Sequence, residues 1–282
     1  MTTSRCADVS EAAGEPISAT VPTVENWLLV EVRGPWPRDV SELSGLDEPA
    51  RQAVTAWLES TSVPRLMFIR RPGRRHARQA VFAIRAAEHD IDARRFDLDN
   101  LDELADVDLA TDGVAVDTQL ALVCGHGTRD ACCALRGSAV LGALEGVVAE
   151  ESLWLSSHQG GHRFAANVLV LPSGIGLGRL APTSARWAVE EVLAGRIPLE
   201  HYRGRTAYTA RVQAAEHAIR ESAGLVAMND LTLVEDDGIH VRFVDKGGNV
   251  HAAVPREIAG PSVPASCGTE PGPQKHVTAQ LA

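Results

Sequence analysis

The chain has 282 residues, 45% of them hydrophobic and 23% charged, and its 37 acidic against 27 basic side chains give a formal net charge of −10. That length and composition belong to a globular protein able to bury a core without disulfide support. An acidic balance with only 4% aromatics excludes the basic, ring-lined footprint of a nucleic-acid binder, and the best apolar run, Val168 to Leu180, is broken by Pro172, Ser173 and three glycines before it reaches the ~18 residues of a membrane helix.

Met1 to Pro16 has neither the basic start nor the apolar stretch of a secretory signal, and five cysteines are too few for a disulfide scaffold. The expected compartment is the reducing cytoplasm, with thiols left free, catalytic or metal-bound. Asn26 to Val32 reads as a strand ending at Gly34-Pro35-Trp36-Pro37, Leu46 to Ser60 as a helix, and Arg65 to Arg70 and Gln79 to Arg85 as strands around Pro72-Gly73. Six arginines between Arg65 and Arg78 (the others being Arg70, Arg71, Arg74 and Arg75) are followed by eight acids from Asp97 to Asp117. Such blocks coat solvated faces or, on the basic side, offer a dock for an acidic redox partner. The acidic part near Leu101 to Leu109 reads as a short surface helix and linker, which closes an N-terminal α/β domain at residues 1–116.

A second unit, residues 117–196, opens with the strand Gln119 to Val123, which ends at Cys124. Val140, Leu141, Leu144, Val147 and Val148 then fall on one helical stripe, and Ser152 to Leu155 is a strand. Val168–Leu171 and Ile175–Leu180 flank Pro172-Ser173-Gly174 as a hairpin, and a helix runs from Pro182 to about Ala194. The order β-α-β then β-β-α predicts an α/β fold whose central unit is thioredoxin-like. Residues 197–258 read as a helix, Thr206 to Ser222, followed by a small antiparallel sheet. The Pro-, Gly- and Ser-rich residues 259–282 read as a disordered tail.

Chemistry concentrates in two loops that each leave a predicted strand: Cys124-Gly-His126-Gly-Thr-Arg129-Asp130-Ala-Cys132-Cys133, and His158-Gln-Gly160-Gly161-His162-Arg163. Loops at strand ends converge on one sheet edge, and thiolates with imidazoles suit zinc or an iron–sulfur centre. Gly160-Gly161 argues against a helix between the two histidines and would let backbone approach an inorganic centre. Cys6 and Cys267, isolated near the termini, read as incidental small hydrophobes. The spacings match neither a zinc finger, nor the four-cysteine ferredoxin pattern, nor a Rieske pair, nor a C-x-x-C redox motif. Gly174-Ile-Gly176-Leu-Gly178 lies in a hairpin without the helix of a dinucleotide site, and no hydrolytic triad is singled out.

At these residues the chain resembles the sucrase/ferredoxin-like family, thioredoxin-like ferredoxins, through C-x-H-G-x-R-D-x-x-C and a downstream H-x-G-G-H-R. The resemblance implies a non-Rieske 2Fe–2S cluster held, by position, on Cys124, Cys133, His158 and His162. It leaves His126 and Cys132 in the motif region without a ligand role. Arg129, Asp130 and Arg163 are candidates to orient an imidazole or offset cluster charge. The word "sucrase" implies paired carboxylates, and none is distinguished here. The expected function is single-electron transfer, coupled to protons through the imidazoles, between donor and acceptor proteins, rather than a self-contained enzyme. A zinc protein using the same Cys2His2 set, structural or hydrolytic, and a cluster-free interaction module are the alternatives.

Overall fold

The computed structural model describes residues 5–73 and 76–282, so Arg74 and Arg75 of the basic stretch lie outside the described residues. A short helix α1 (Cys6–Ala12) precedes β1 (Asn26–Glu31), α2 (Glu48–Ser60), β2 (Pro64–Arg70), β3 (Gln79–Ala86), β4 (Ile91–Leu98) and β5 (Val114–Ala115). β1 lies between β2, to which it is parallel, and β3, to which it is antiparallel. The segment around Pro72-Gly73 therefore crosses over a strand instead of closing a hairpin. The acidic stretch forms a short 3-10 helix at Leu101–Asp106, capped by the Asn100 side chain.

The central unit follows the predicted order: β6 (Leu120–Cys124), α3 (Ala131–Leu144) and β7 (Leu153–Ser156), then β8 (Val168–Leu171), β9 (Ile175–Leu177) and α4 (Pro182–Leu193). β6 is parallel to β7 and antiparallel to β8, and β8 pairs with β9. The two units predicted as separate domains are joined edge to edge, because β2 pairs with β7 through Ile69–Ser156 and Arg70–Leu155. With β10 (Tyr202–Arg205) at the far edge they form one ten-stranded sheet, β10-β9-β8-β6-β7-β2-β1-β3-β4-β5.

Alternation along the strands builds separate cores on the two faces. Ala121 and Val123 of β6 pack with Val140 and Leu144 of α3 and Val189 of α4. Leu120 and Leu122 point the other way, to Trp154, Met67 and Phe82, where Phe82 and Trp154 meet edge to face at 5.5 Å. The apolar stripe of α3 leaves the helix at Leu144, and Val148 joins the same core from the following turn.

α5 (Ala210–Ala223) begins after the Thr209 cap, later than expected. It covers a four-stranded sheet of β11 (Leu231–Asp236), β12 (Val241–Asp245), β13 (Val250–Pro264) and β14 (Pro271–Leu281). The Glu216–Arg220 ion pair of α5 is fully buried at 3.0 Å, and Glu216 also accepts from Tyr202 Oη at 2.6 Å. These contacts bind α5 to the β10 edge, and removing one member would cost about 3–5 kcal/mol.

Residues 259–282 depart from the expectation of a disordered tail. They complete β13 and form β14, in antiparallel register from Ala253–Leu281 to Pro264–Pro271, with Val263 and His276 buried. Pro271 and Pro273 fit because β14 is an edge strand, and a register shift between Ala259 and Ser262 absorbs Pro261. The tip of this hairpin reaches back to α3.

Candidate metal centre

Cys124 closes β6 and is the register partner of Ser156, the last residue of β7. Parallel pairing thus brings the loop after Cys124 and the loop carrying His158 to the same edge. Cys133 lies in the first turn of α3, whose N-cap is Asp130. α3 can approach the end of β6 because residue 137 is glycine: a Cβ there would stand 2.1 Å from the Cys124 carbonyl oxygen. The result is a buried group of Cys124, Cys133 and half-buried His158 whose ligand atoms lie within 4.8 Å of one another. Cys133 Sγ is 3.9 Å from His158 Nδ1. A hydrogen bond from Cys133, with His158 adding to it, holds the Cys124 thiol well below its usual pKa, and the same bond pushes Cys133 up.

His162 stands beside this group, its ring 5.0 Å from that of His158. Its Nε2 is 2.5 Å from the Ala265 carbonyl, which can only accept, so Nε2 carries the proton and Nδ1 a lone pair. Nδ1 is buried and has no partner. Two thiols, one nearby imidazole and a second with an orphaned acceptor nitrogen are a donor set that fits a soft or borderline metal or an iron–sulfur cluster. Those are the four residues the family resemblance nominates.

His126 is placed differently. Its Nδ1 accepts the His158 backbone N–H at 3.1 Å and its Nε2 donates to the Pro37 carbonyl at 2.8 Å, so both ring nitrogens are occupied. It pins the His158 loop to the Gly34–Pro37 segment, where Trp36 meets its ring edge to face at 5.7 Å. Burial pulls its pKa down, which keeps it neutral for this role.

The charged candidates divide. Arg129 stands 3.8 Å from Asp39, at a cleft of about 130 Å³ that His158, His126, Arg38 and Arg65 also line. Arg163 bonds buried Glu15 at 2.7 Å instead of the metal-ligand candidates. Asp130 accepts from Cys132 N at 2.8 Å with one oxygen and from Ser266 Oγ and Cys267 N, both 2.8 Å, with the other. Burial opposes ionisation of Asp130, but these donors hold its pKa at about 2. Its second oxygen is also 3.9 Å from His162 Nε2.

Gly160 and Gly161 have φ of +95° and +69°. What approaches Gly161 is the Arg203 guanidinium, 2.5 Å from where a Cβ would be, rather than an inorganic centre. Arg203 is buried and bonded to Gly160 O, Asn167 Oδ1 and Thr20, none of them anionic. Arg65 donates to His158 O at 2.8 Å. Arg203 went unnoticed in the sequence, where nothing distinguished it among 25 arginines, and Arg65 stood out only as a member of the basic stretch. The described arginines of the basic stretch are engaged within the chain: Arg70 stacks on Trp36 at 4.7 Å, Arg71 on Trp154 at 5.0 Å, and Arg78 pairs with Asp99.

Cys132 turns away from Cys133 toward Cys267 and Cys6, with Sγ separations of 3.3 Å and 3.6 Å. Cys6 and Cys267, isolated in the sequence, are thus brought together with Cys132 in the fold, packed with Ala7 and Ala165. The sequence carried one usable signal: successive helix residues point about 100° apart, so adjacent cysteines in a helix face different neighbours. A larger cleft of about 600 Å³, lined by Pro72, Glu145, Val147, Glu150 and Leu153, lies at the opposite end of α3 and β7 and holds none of these residues.

Residues 17–204, about two thirds of the chain, match the family described as sucrase/ferredoxin-like. Altered inheritance of mitochondria protein 32 of Clavispora lusitaniae is 38% identical over 95 residues, 31% of this chain and 35% of that protein. Its namesake in Saccharomyces cerevisiae (strain YJM789) is 34% identical over 96 residues, 29% of this chain and 31% of that protein. The chain spans about a third of the length of these curated relatives. No solved structure matches it significantly. By the extent of the family match, the chain belongs to the sucrase/ferredoxin-like family.

Proposed function

We propose that Cys124, Cys133, His158 and His162 hold a 2Fe–2S cluster and that the protein transfers single electrons between donor and acceptor proteins. The observation that carries this reading is the buried Cys124–Cys133–His158 group with the unpartnered Nδ1 of His162 beside it. A cluster bound there would supply a one-electron couple of higher potential than in all-thiolate ferredoxins, because two neutral imidazoles replace two anions.

The chain's own residues set the conditions. The Ala265 carbonyl fixes the His162 ring and holds the proton on Nε2, the group that would titrate with the redox state. His126 fixes the backbone of His158. Arg65 and Arg203 bring positive charge close enough to favour an added electron. Burial of Cys124 and Cys133 keeps water from the thiolates. Partners would dock at the cleft of Arg38, Arg65, Arg129 and His158, which brings a half-buried imidazole to its wall. A reducing compartment such as the cytoplasm would keep the thiols available.

A second reading, one zinc ion on the same residues, is favoured by the closeness of the first three donors, all within 4.8 Å. Anaerobic purification with metal and acid-labile sulfide analysis separates the two. A red-brown protein with about two iron and two sulfide per chain supports the cluster; a colourless protein with zinc on Cys124 and Cys133 refutes it.

A further inference from the structure

Three thiols from distant parts of the sequence meet beside the candidate centre without belonging to it. Cys6 opens α1, Cys132 sits in the first turn of α3, and Cys267 lies at the tip of the β13–β14 hairpin. Their sulfurs form a triangle with sides of 3.3 Å (Cys132–Cys267), 3.6 Å (Cys6–Cys132) and 3.6 Å (Cys6–Cys267). Sulfurs on the corners of a tetrahedron about zinc, with bonds of about 2.3 Å, lie about 3.8 Å apart. The fourth corner is supplied by Asp130, whose oxygens are 3.8 and 3.9 Å from Cys6 Sγ, and all four ligand atoms lie within 4.8 Å of one another.

The geometry points to a zinc site of Cys6, Cys132, Cys267 and Asp130, separate from the Cys124 centre. With four protein donors the site is closed, and its role is structural. Cys6 and Cys267 lie outside the family-matched residues 17–204, whereas Asp130 and Cys132 lie within them, so half of the site's ligands come from parts of the chain beyond the family match.

The surroundings suit bound thiolates. Cys6 and Cys132 are fully buried and Cys267 is partly buried, so an ion bound between them would be shielded from water. Each carboxylate oxygen has two lone-pair sites. Asp130 Oδ1 spends one on Cys132 N and has one left for a metal. Binding displaces the thiol protons to solvent, with no change of oxidation state. The ion would tie the N-terminal helix and the C-terminal hairpin to α3. The same hairpin tip supplies Ala265 to His162, so this clamp would also steady the neighbouring histidine.

The test uses the full chain, purified anaerobically from cells supplied with both iron and zinc. Zinc K-edge absorption of the unaltered protein should show three sulfur and one oxygen neighbours, and metal analysis about one zinc per chain. Cys267→Ser and Cys6→Ser should lower zinc at least tenfold and leave iron and the visible spectrum unchanged, whereas Cys124→Ser should lose iron and keep zinc. Absence of zinc, a two-sulfur two-nitrogen shell, zinc retained in Cys267→Ser, or a Cys132–Cys267 disulfide in the purified protein would each overturn the site. If a variant does not fold, the absorption spectrum of the unaltered protein still decides. Failure of the iron–sulfur reading would appear as missing iron and sulfide while the zinc that Cys267→Ser removes is still bound, and a second zinc lost in Cys124→Ser would mark the alternative reading of the Cys124 centre.

Discussion

Cys132 and Cys133 are consecutive in α3 yet serve different neighbourhoods: Cys133 Sγ lies 3.9 Å from His158 Nδ1, whereas Cys132 Sγ lies 3.3 Å from Cys267 Sγ. The helical twist sets this division. It predicts that Cys133→Ser and Cys124→Ser abolish the visible chromophore and the bound iron, while Cys132→Ser retains both. Iron per chain and the visible spectrum of the variants check it, and bleaching by Cys132→Ser with colour retained in Cys133→Ser would reverse the assignment.

Gly137 and Gly142 lie in the same helix with opposite surroundings. A methyl on Gly137 would meet the Cys124 carbonyl at 2.1 Å, while one on Gly142 meets nothing within 4 Å. Gly137→Ala should destabilise by about 3 kcal/mol, since backbone must move. Gly142→Ala should stabilise by about 0.5–1 kcal/mol through lower entropy of the unfolded chain. Urea denaturation of both variants measures the difference.

His126 acts through its neutral tautomer, accepting at Nδ1 and donating at Nε2. Burial lowers its folded pKa below the ordinary 6.5. The unfolded state therefore binds the proton more readily, so the contribution to stability is full above about 6.5 and is lost as pH falls through the lower folded value. Hydrogen-exchange protection across residues 156–164, corrected for the pH-dependent intrinsic exchange rate, should fall on acidification in the wild type. His126→Gln, which can both accept and donate but does not titrate, should show corrected protection that changes little with pH in that window. Equal acid sensitivity in both proteins would show that another group governs the loop.

Arg65 holds His158 O and carries a charge that burial makes costly. A nearby cation favours the more negative, reduced state. Arg65→Met should lower the one-electron potential by on the order of 50 mV if about 1 kcal/mol of that attraction is lost, given 59 mV per tenfold change in equilibrium. Redox titration at fixed pH reads it, with Arg65→Lys expected to lie between the two.

Much of the centre could be read from the sequence because its parts are local. β6 ends at Cys124, β7 leads into His158, and Pro182 opens α4 as its position implies. What escaped depends on contacts remote in sequence. The insertion of β1 between β2 and β3 is set by sheet pairing, and the two units share a sheet through only two register pairs of β2 and β7. The hairpin of β13 and β14 was hidden by proline and glycine, which an edge strand tolerates and composition cannot distinguish from disorder. Cys6 and Cys267, 261 residues apart, gave no local sign of meeting at 3.6 Å.

Pulsed EPR of the anaerobically reduced protein tests the central claim most directly, because it reports the nuclei bound to the paramagnetic centre. The ligand set of Cys124, Cys133, His158 and His162 predicts a 2Fe–2S signal with strong couplings to two imidazole nitrogens, one of them lost in His162→Cys while the signal persists at lower potential. A reduced cluster without coordinated nitrogen, or the absence of any iron–sulfur signal in protein that has kept its metal, would contradict it.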